Sequence, residues 1–373
     1  MTDAPLDIAI VIALQAEFAQ LHARVKDRCT SVQDPETNDY DYVFAWPAAS
    51  GQPYRCVASF AGKMGERKAA LVTQRLLARW QPATVVVLGI AGGISSDVRL
   101  GDVVAATAVE SYLEDAKAVA AAEPDRFEFR LAGETFRPSG DLVKEVRHFK
   151  FAHSRQFETW QEDGRRRLYD ALPANLRKRK AYSPLLADGP RLLDGPVACG
   201  PIVGAAESFV AWLKQQNRKF VALEMESGGV LAAVFEKTDP ARTLVLRGIS
   251  DLADHRKADL DQTAGGVFRR VAMNNAIGLL DALLAAGCLP RAHVDASLRD
   301  AQTGLGEAGL REAHVCTLRL TQTGDQVQAV LEEPGQPPLR AHAAFDFDLT
   351  PQDDEDLRWY LEDFLQHPFE PAP

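Results

Sequence analysis

Cysteine is scarce in this chain, and none of it is arranged as a C-x-x-C pair. The 373 residues include five scattered cysteines: Cys29, Cys56, Cys199, Cys288 and Cys316. This distribution argues against a disulfide framework and against a structural zinc site. We therefore expect free thiols and no metal.

Long apolar runs and an excess of basic charge are also missing. No stretch approaches the roughly 20 uncharged apolar residues that a membrane helix needs, and the polar start Met1 to Asp7 lacks the basic region of a secretion signal. The formal net charge of -10 speaks against a general nucleic-acid binder. We expect a cytoplasmic protein with neither a membrane nor a nucleic acid as its partner.

Apolar residues are present in sufficient number for two domains. With 46% hydrophobic residues, the chain can bury a large core and a smaller second unit, because single domains commonly reach about 250 residues. From Ile8 to Gly287, β-like runs alternate with helical periodicity. This alternation predicts an α/β fold with a mixed, largely parallel central sheet flanked by helices. We assign this domain to 1–289 and a small α+β module to 290–373.

A basic insert near 112–195 interrupts the strand pattern. It contains Arg165-Arg166-Arg167 and Arg177-Lys178-Arg179-Lys180. Two interpretations stay open. The insert is either a set of solvated helices whose cations offset an acidic protein, or a phosphate-binding flap, since guanidinium forks suit phosphate oxygens.

The tail alternates apolar and polar residues on both sides of a Thr323-Gly324-Asp325 turn, which predicts a β-hairpin. A third strand is expected from Arg340 to Leu349, and Thr350 with Pro351 predicts the start of a helix. So small a unit rarely stands alone. We expect it to pack on the main domain or to contact a protein partner.

Acidic or glycine residues follow four apolar runs. The runs are Ile8 to Leu14, Val85 to Ile90, Phe220 to Leu223 and Thr243 to Ile249, and they are followed by Gln15-Ala16-Glu17, Ala91-Gly92-Gly93, Glu224-Met225-Glu226 and Ser250-Asp251. If the runs are neighbouring strands, Glu17, Glu226 and Asp251 converge at the carboxyl edge of the sheet, beside a glycine turn. Each residue alone has a plainer interpretation, such as a helix cap or a tight turn. The joint pattern indicates a site.

Three carboxylates can divide the work of cleaving a bond between a sugar and a heterocyclic base. The base must be protonated, positive charge on the ribose must be tolerated, and a water must be activated on the opposite face. Asp251 follows an apolar strand and is assigned to the base. Glu226 is assigned to a vicinal diol and Glu17 to the water.

These segments resemble the nucleoside phosphorylase superfamily over roughly residues 6–287, and within it the 5′-methylthioadenosine/S-adenosylhomocysteine nucleosidase branch. The resemblance is carried by Ala13 to Glu17, Val87 to Ile94, Leu100 to Val104, Leu223 to Ser227 and Arg247 to Asp251. Several ordered motifs with compatible spacing are far more specific than one short pattern.

The resemblance implies roles for individual residues. Met225 would lie against the ribose and Glu226 would hold its hydroxyls, while Asp251 would protonate the purine N7 with support from Ser250. Further substrate contacts are implied at the glycine-rich segment Ala91, Gly92 and Gly93 and at the purine-stacking segment Phe209 and Val210. The resemblance also implies an assembly that is at least a dimer and a reaction without any cofactor.

Hydrolysis and phosphorolysis are distinguished by the loop after the first strand. Phosphorylases that resemble this chain carry a glycine-arginine loop there, whereas this chain has Gln15 to Phe18 with the acidic Glu17. A carboxylate repels phosphate, so we expect a hydrolase that releases free adenine. The loop Gly62 to Lys68 is either an anion site with Lys63 and Arg67 at a helix amino end or an ordinary turn.

The segment Asp356 to Leu365 with Pro368-Phe369 resembles the one beside CHAT-type caspase-like protease domains in bacterial conflict systems. Nucleosidase domains in such antiviral systems resemble effectors that remove adenine from ATP. An ATP-type substrate is therefore expected, with Lys63, Arg67 and the basic insert as candidates for phosphate contacts. The alternatives are a housekeeping methylthioadenosine/S-adenosylhomocysteine nucleosidase, a purine nucleoside phosphorylase, and a nucleoside-sensing scaffold without turnover.

Overall fold

The structure of the protein, a computed structural model, describes residues 6–35, 37–49, 51–120, 127–130 and 132–292, together with strands at 317–323, 326–332, 339–344 and 370–371. Two compact units are present, Met1–Ala296 and Ser297–Pro373. Within these described ranges, no helix is long and apolar enough to cross a membrane.

Strands and helices alternate along the first unit. Strands β1 to β12 are Ile8–Ile12, Cys29–Gln33, Tyr40–Trp46, Tyr54–Phe60, Thr84–Gly93, Val103–Ser111, Lys117–Ala120, Phe127–Arg130, Glu134–Phe136, Leu192–Cys199, Ala222–Glu224 and Arg242–Asp251. Helices α1 to α10 are Gln15–Val25, Glu66–Trp80, Gly140–Ala152, Ser154–Ala171, Ala174–Arg177, Ser183–Asp188, Glu207–Gln216, Ser227–Phe235, Lys257–Gln262 and Val267–Ala286. Short 3₁₀ segments are Lys26–Arg28, Lys180–Tyr182 and Thr263–Gly265.

The central sheet has the strand order β11-β10-β6-β12-β5-β1-β4-β3-β2. Strands β4, β1, β5 and β12 are parallel neighbours. Strand β6 runs antiparallel to β12, and β11 pairs antiparallel with the end of β5. This last pairing closes five strands into a ring and gives β11 backbone partners on both sides. The predicted α/β fold with a mixed sheet flanked by helices is confirmed.

Successive residues of the central strands face opposite helical layers. In β1, Ile8, Ile10 and Ile12 pack in the core that includes side chains of α1, α4 and α10. Ala9 and Val11 pack in the core that includes side chains of α2 and α8. A strand covered on both faces is apolar at every position, which explains the continuous runs in the sequence.

Helix α10 packs directly against strand β12. A Cβ atom at Gly248 would overlap the backbone of Ala272, so only glycine permits this approach. The helix ends at Gly287, whose φ of 79° is the left-handed conformation typical of a helix C-terminus. The backbone of α10 at Ala272 thus lies directly against the backbone of β12 at Gly248. This contact fixes the position of the first turns of α10 relative to the end of β12.

The predicted glycine turn at Gly92-Gly93 is wrong. Strand β5 continues through both residues, which pair with Leu223 and Ala222 of β11. A Cβ atom at Gly92 would lie 2.9 Å from Oδ1 of Asp251. These glycines therefore provide space for a neighbouring side chain and strand, not a change of chain direction.

The insert is mainly helical, from α3 to α6, and the core strand β10 begins at Leu192, before the expected end of the insert. Arg165 and Arg166 form exposed ion pairs with Glu162 at 3.5 Å and Asp163 at 2.7 Å. These two cations match the solvated-helix interpretation. Arg167 differs, because it is partly buried beside α10.

The second unit contains an antiparallel sheet. Its strands β13 to β16 are Thr317–Thr323, Gln326–Glu332, Leu339–Ala344 and Glu370–Pro371, and they pair in chain order. Thr323, the last residue of β13, pairs with Gln326, the first residue of β14. The helix predicted from Thr350 and the segment Asp356 to Leu365 lie outside the described residues.

Candidate active site

A cavity of about 290 Å³ lies where β1, β5, β11 and β12 end. Its walls come from segments that are remote in sequence. Among the residues named from the sequence, Glu17, Ala91, Gly92, Met225, Glu226, Ser250 and Asp251 line it. The parallel ends of β1, β5 and β12, with the chain that leaves β11, bring these side chains together.

Glu17 lies in the first turn of α1, directly after β1, and is buried. Its Oε2 atom is buried and has no hydrogen-bond partner among the described residues. Burial raises the pKa of Glu17 to about 7, Arg247 opposes the rise, and Glu226 adds to it. Glu17 is therefore a carboxyl group with a free acceptor that titrates near neutrality.

Glu226 follows β11 and precedes the first residue of α8. Its Oε1 accepts a hydrogen bond of 3.2 Å from the backbone N–H of Gly65. Its Oε2 lies 3.6 Å from Nη2 of Arg247. Burial raises the pKa of Glu226 to about 7, with Arg247 opposing and Glu224 adding to the rise. Glu17 and Glu226, each with a pKa of about 7, thus both line the cavity.

Arg247 is buried in β12, with 1% of its side chain exposed. Its Nη2 donates to Oε2 of Glu224 and, at 2.9 Å, to Oγ of Ser227. Glu224 in turn accepts the backbone N–H groups of Glu226 and Ser227, each at 3.0 Å from its Oε2. Gly89 on β5 leaves the space that this guanidinium occupies. The ion pair therefore determines the backbone path from β11 into α8.

Asp251 is the last residue of β12 and is 1% exposed. Its Oδ2 accepts hydrogen bonds from Oγ of Ser250 at 2.9 Å and from Nζ of Lys257 at 2.6 Å. Its Oδ1 accepts the backbone N–H of Ala253 at 2.9 Å. Three donors thus orient this carboxylate toward the cavity that it lines.

Two cations also line the cavity. Lys257, at the start of α9, bonds Asp251. Arg269, near the start of α10, lies 3.8 Å from Asp261, and 37% of its side chain is exposed. Met64, Ile202 and Val203 add a largely exposed apolar rim. The cavity therefore combines carboxylates at its inner wall with cations and apolar side chains nearer the solvent.

Several residues named from the sequence do not line the cavity. Lys63 and Arg67 are exposed on the loop before α2 and on its first turn. Phe209 and Val210 lie on α7, where Phe209 stacks on Trp212 with ring centroids 5.7 Å apart. Gly93 packs behind the wall against Val98.

Sequence reasoning did not select Arg247, Glu224, Lys257, Asp261 or Arg269 as site residues, although all but Arg247 line the cavity. Arg247 had a recognisable signal, because a lone arginine inside an apolar strand needs a buried anion. Glu224 also had one, because it belongs to the acidic cluster that follows the run Phe220 to Leu223. Lys257, Asp261 and Arg269 had none, since their positions depend on how the segment after β12 folds back. Among the described residues, no cluster of His, Cys, Asp and Glu is arranged to hold a metal ion.

The fold and the cavity define an α/β protein with a small-molecule site lined by carboxylates. The chain belongs to the phosphorylase superfamily, whose family model matches residues 7–285. A search of curated proteins finds an uncharacterized protein, y4jS of Sinorhizobium fredii (strain NBRC 101917 / NGR234), which is 26% identical over 208 residues. That match covers 54% of this chain and 44% of the relative, so the chain spans less than half of the relative's length.

Solved structures share the fold at low identity. The 5′-methylthioadenosine/S-adenosylhomocysteine nucleosidase of Neisseria meningitidis has a TM-score of 0.52 at 17% identity, with 75% of this chain and 98% of that chain covered. The corresponding nucleosidase of Colwellia psychrerythraea, in complex with adenine, has a TM-score of 0.52 at 20% identity, covering 78% and 98%. Futalosine hydrolase of Helicobacter pylori has 0.50 at 16%, covering 74% and 97%.

The raised pKa of Glu17 predicts a pH-dependent stability. The folded carboxyl titrates at about 7 and the ordinary value is 4.5, so the folded state binds the extra proton and loses stability as pH rises from 4.5 through 7. Glu17→Gln should remove this loss and be more stable than the parent by on the order of 1–3 kcal/mol at pH 8. Urea unfolding at pH 5 and pH 8 measures the difference.

The exposed Glu236→Gln serves as the control and should follow the parent at both pH values. An equal stability difference between Glu17→Gln and the parent at both pH values would contradict the raised pKa.

Proposed function

We propose that this protein hydrolyses the N-glycosidic bond of an adenine nucleoside or nucleotide and releases free adenine. One observation carries the proposal: Glu17, Glu226 and Asp251 line one cavity. A nucleosidase needs an acid for the base, an acceptor for the ribose hydroxyls and a base for water. Membership of the phosphorylase superfamily and the names of the structural neighbours support the same chemistry.

In the proposed reaction, the bond between the anomeric carbon and the purine nitrogen breaks while water attacks the anomeric carbon. Asp251 first takes a proton, for which Lys257, 2.6 Å from its Oδ2, is the nearby donor. It then gives that proton to the leaving purine, while Glu17 takes the proton that the attacking water releases. Glu226 accepts hydrogen bonds from the ribose hydroxyls and, with Glu17, stabilises the positive charge on the sugar. Ser250 keeps Asp251 oriented.

Water is the favoured nucleophile because of Glu17. Its buried Oε2 has no partner in the described part of the chain and can accept a hydrogen bond from water. A general base is most effective when its pKa is near the working pH, and that of Glu17 is about 7. An anionic phosphate would meet both Glu17 and Glu226. These features favour hydrolysis over phosphorolysis.

Asp251→Asn should lose at least about a hundredfold of kcat, because general acid catalysis contributes roughly 10² to 10⁴, while nucleoside binding stays measurable. The experiment is chromatography of released base from ATP, AMP, adenosine, methylthioadenosine and S-adenosylhomocysteine, each with and without phosphate. Asp259→Asn, an exposed carboxylate on the same segment, is the matched control. Unchanged turnover in Asp251→Asn refutes its role as the acid. In the parent protein, turnover that depends on phosphate refutes hydrolysis, and binding without turnover supports the sensing scaffold.

An ATP-type substrate is the finer proposal, and Arg269 supports it. This guanidinium lines the cavity, and its one ion-pair contact with the described residues is Asp261 at 3.8 Å, so it is available to a substrate phosphate. Arg269→Gln should raise the KM for ATP about tenfold, the cost of a charge-assisted hydrogen bond, and leave the KM for adenosine unchanged. Arg256→Gln, outside the cavity, is the control. Equal effects on ATP and adenosine would exclude phosphate recognition by Arg269 and favour the methylthioadenosine alternative.

Assembly as at least a dimer, a protein partner for 290–373 and a role in an antiviral conflict system complete the proposal. The first and third follow from the family resemblances, and the second follows from the small size of the C-terminal unit. Light scattering of the purified chain measures the assembly.

Bacteria carrying the parent protein should accumulate adenine and lose ATP after phage challenge, whereas those carrying Asp251→Asn should not. Identical adenine levels in the two strains would argue against the defence role.

A further inference from the structure

A second cleft, of about 400 Å³, lies between α4 and α10. Arg24, near the end of α1, also lines it. Arg155, Thr159, Asp163 and Arg167 of α4 line it at intervals of four residues, with Gln156 and Trp160 beside them, so one face of the helix forms a wall. In the described part of the chain, this cleft and the catalytic cavity have no lining residue in common.

The cleft has more cations than its own carboxylates neutralise. Arg24 is paired with Asp281 at 2.9 Å, and Asp281 also accepts the indole N–H of Trp46 at 2.6 Å. Asp163 is held by Arg166 at 2.7 Å. Both carboxylates therefore have partners, and Arg155 and Arg167 have no carboxylate partner among the described residues.

Arg167 is the unusual member. Its Nε is buried without a hydrogen-bond partner among the described residues, and its Nη2 reaches only Oδ1 of Asn275, at 3.4 Å. Burial lowers the pKa of Arg167 to about 10, the positive charge of Arg24 adds to this, and the carboxylates Asp163 and Asp281 oppose it. A partly buried cation without a direct ion pair is costly, so its donors are available to an anionic ligand.

Helix α10 is shaped to receive this guanidinium. A Cβ atom at Gly278 would lie 3.0 Å from Nη2 of Arg167 and 3.3 Å from the ring of Trp160. Trp160 is itself fixed by a 2.9 Å hydrogen bond to the backbone carbonyl of Asn275. Glycine at 278 thus lets Arg167 lie against the helix, and Ala282 and Ala285 continue a small apolar floor.

We propose that this cleft is a second binding site, for a small molecule that carries a phosphate group. The guanidinium groups of Arg155 and Arg167 provide forked donors that match phosphate oxygens. Cavities of roughly 300 to 1,000 Å³ hold drug-sized ligands, so a volume of about 400 Å³ suits a phosphate ester and exceeds the needs of a bare ion. The basic insert thereby binds phosphate away from the catalytic cavity.

Calorimetric titration of the full chain with glucose 6-phosphate, pyrophosphate, inorganic phosphate and glucose tests the proposal. Saturable binding of glucose 6-phosphate, tighter than that of inorganic phosphate and absent for glucose, is the expected result. Tighter binding of inorganic phosphate would show that the ligand is the free ion and would overturn the proposal of a phosphate ester. Absence of saturable binding by every phosphate probe would overturn the proposal.

Variants assign the binding to the cleft. Arg167→Gln should weaken glucose 6-phosphate binding about ten- to a hundredfold, and Arg155→Gln about tenfold, because each removes charge-assisted hydrogen bonds. Arg165→Gln, on the same helix and paired with Glu162 outside the cleft, should bind like the parent, as should Arg269→Gln in the catalytic cavity. If Arg167→Gln does not fold, the exposed Arg155→Gln keeps the test decisive. Unchanged affinity in Arg155→Gln and in folded Arg167→Gln would overturn the assignment.

Discussion

The buried ion pair between Arg247 and Glu224 is the interaction on which the candidate active site depends. Both side chains are 1% exposed, so removing either partner would leave a buried charge at a cost of roughly 3–5 kcal/mol. The pair joins β12 to the end of β11, two strands that are not neighbours in the sheet. Through the backbone N–H groups that Glu224 accepts, it also sets the direction in which Glu226 leaves β11.

The same ion pair helps to explain why the pKa values of Glu17 and Glu226 are raised. Glu224 takes the direct hydrogen bond from Arg247, whereas Glu226 lies 3.6 Å from that guanidinium. Burial therefore outweighs the attraction of Arg247 at Glu17 and Glu226, and the pKa of each is raised to about 7. The two carboxyl groups without that direct hydrogen bond are the ones assigned to the water and to the ribose hydroxyls, and a pKa near the working pH suits a general base.

Helix α10 connects the two cavities. Its beginning carries Arg269 in the catalytic cavity, and its later turns carry Gly278 and Asp281 in the α4/α10 cleft. The close contact of Gly248 with Ala272 fixes the helix against β12, the strand that ends in Asp251. The proposed phosphate site and the substrate site are thus separate places on one helix, because the Arg155–Arg167 face of α4 lines a cleft with Gly278 and Asp281 on the later turns of α10.

The sequence by itself determined the α/β class, the order of the central elements and the identity of Glu17, Glu226 and Asp251 as candidates. Hydrophobic runs and helical spacing are local properties, so they can be recognised before the chain is folded. Only the tertiary structure decided that Gly92 and Gly93 belong to a strand, that Lys63, Arg67, Phe209 and Val210 do not line the cavity, and that Lys257 and Arg269 do. Those outcomes depend on the pairing of β11 with β5 and on the fold of the segment after β12. Such contacts join residues far apart in the chain, and no local pattern encodes them.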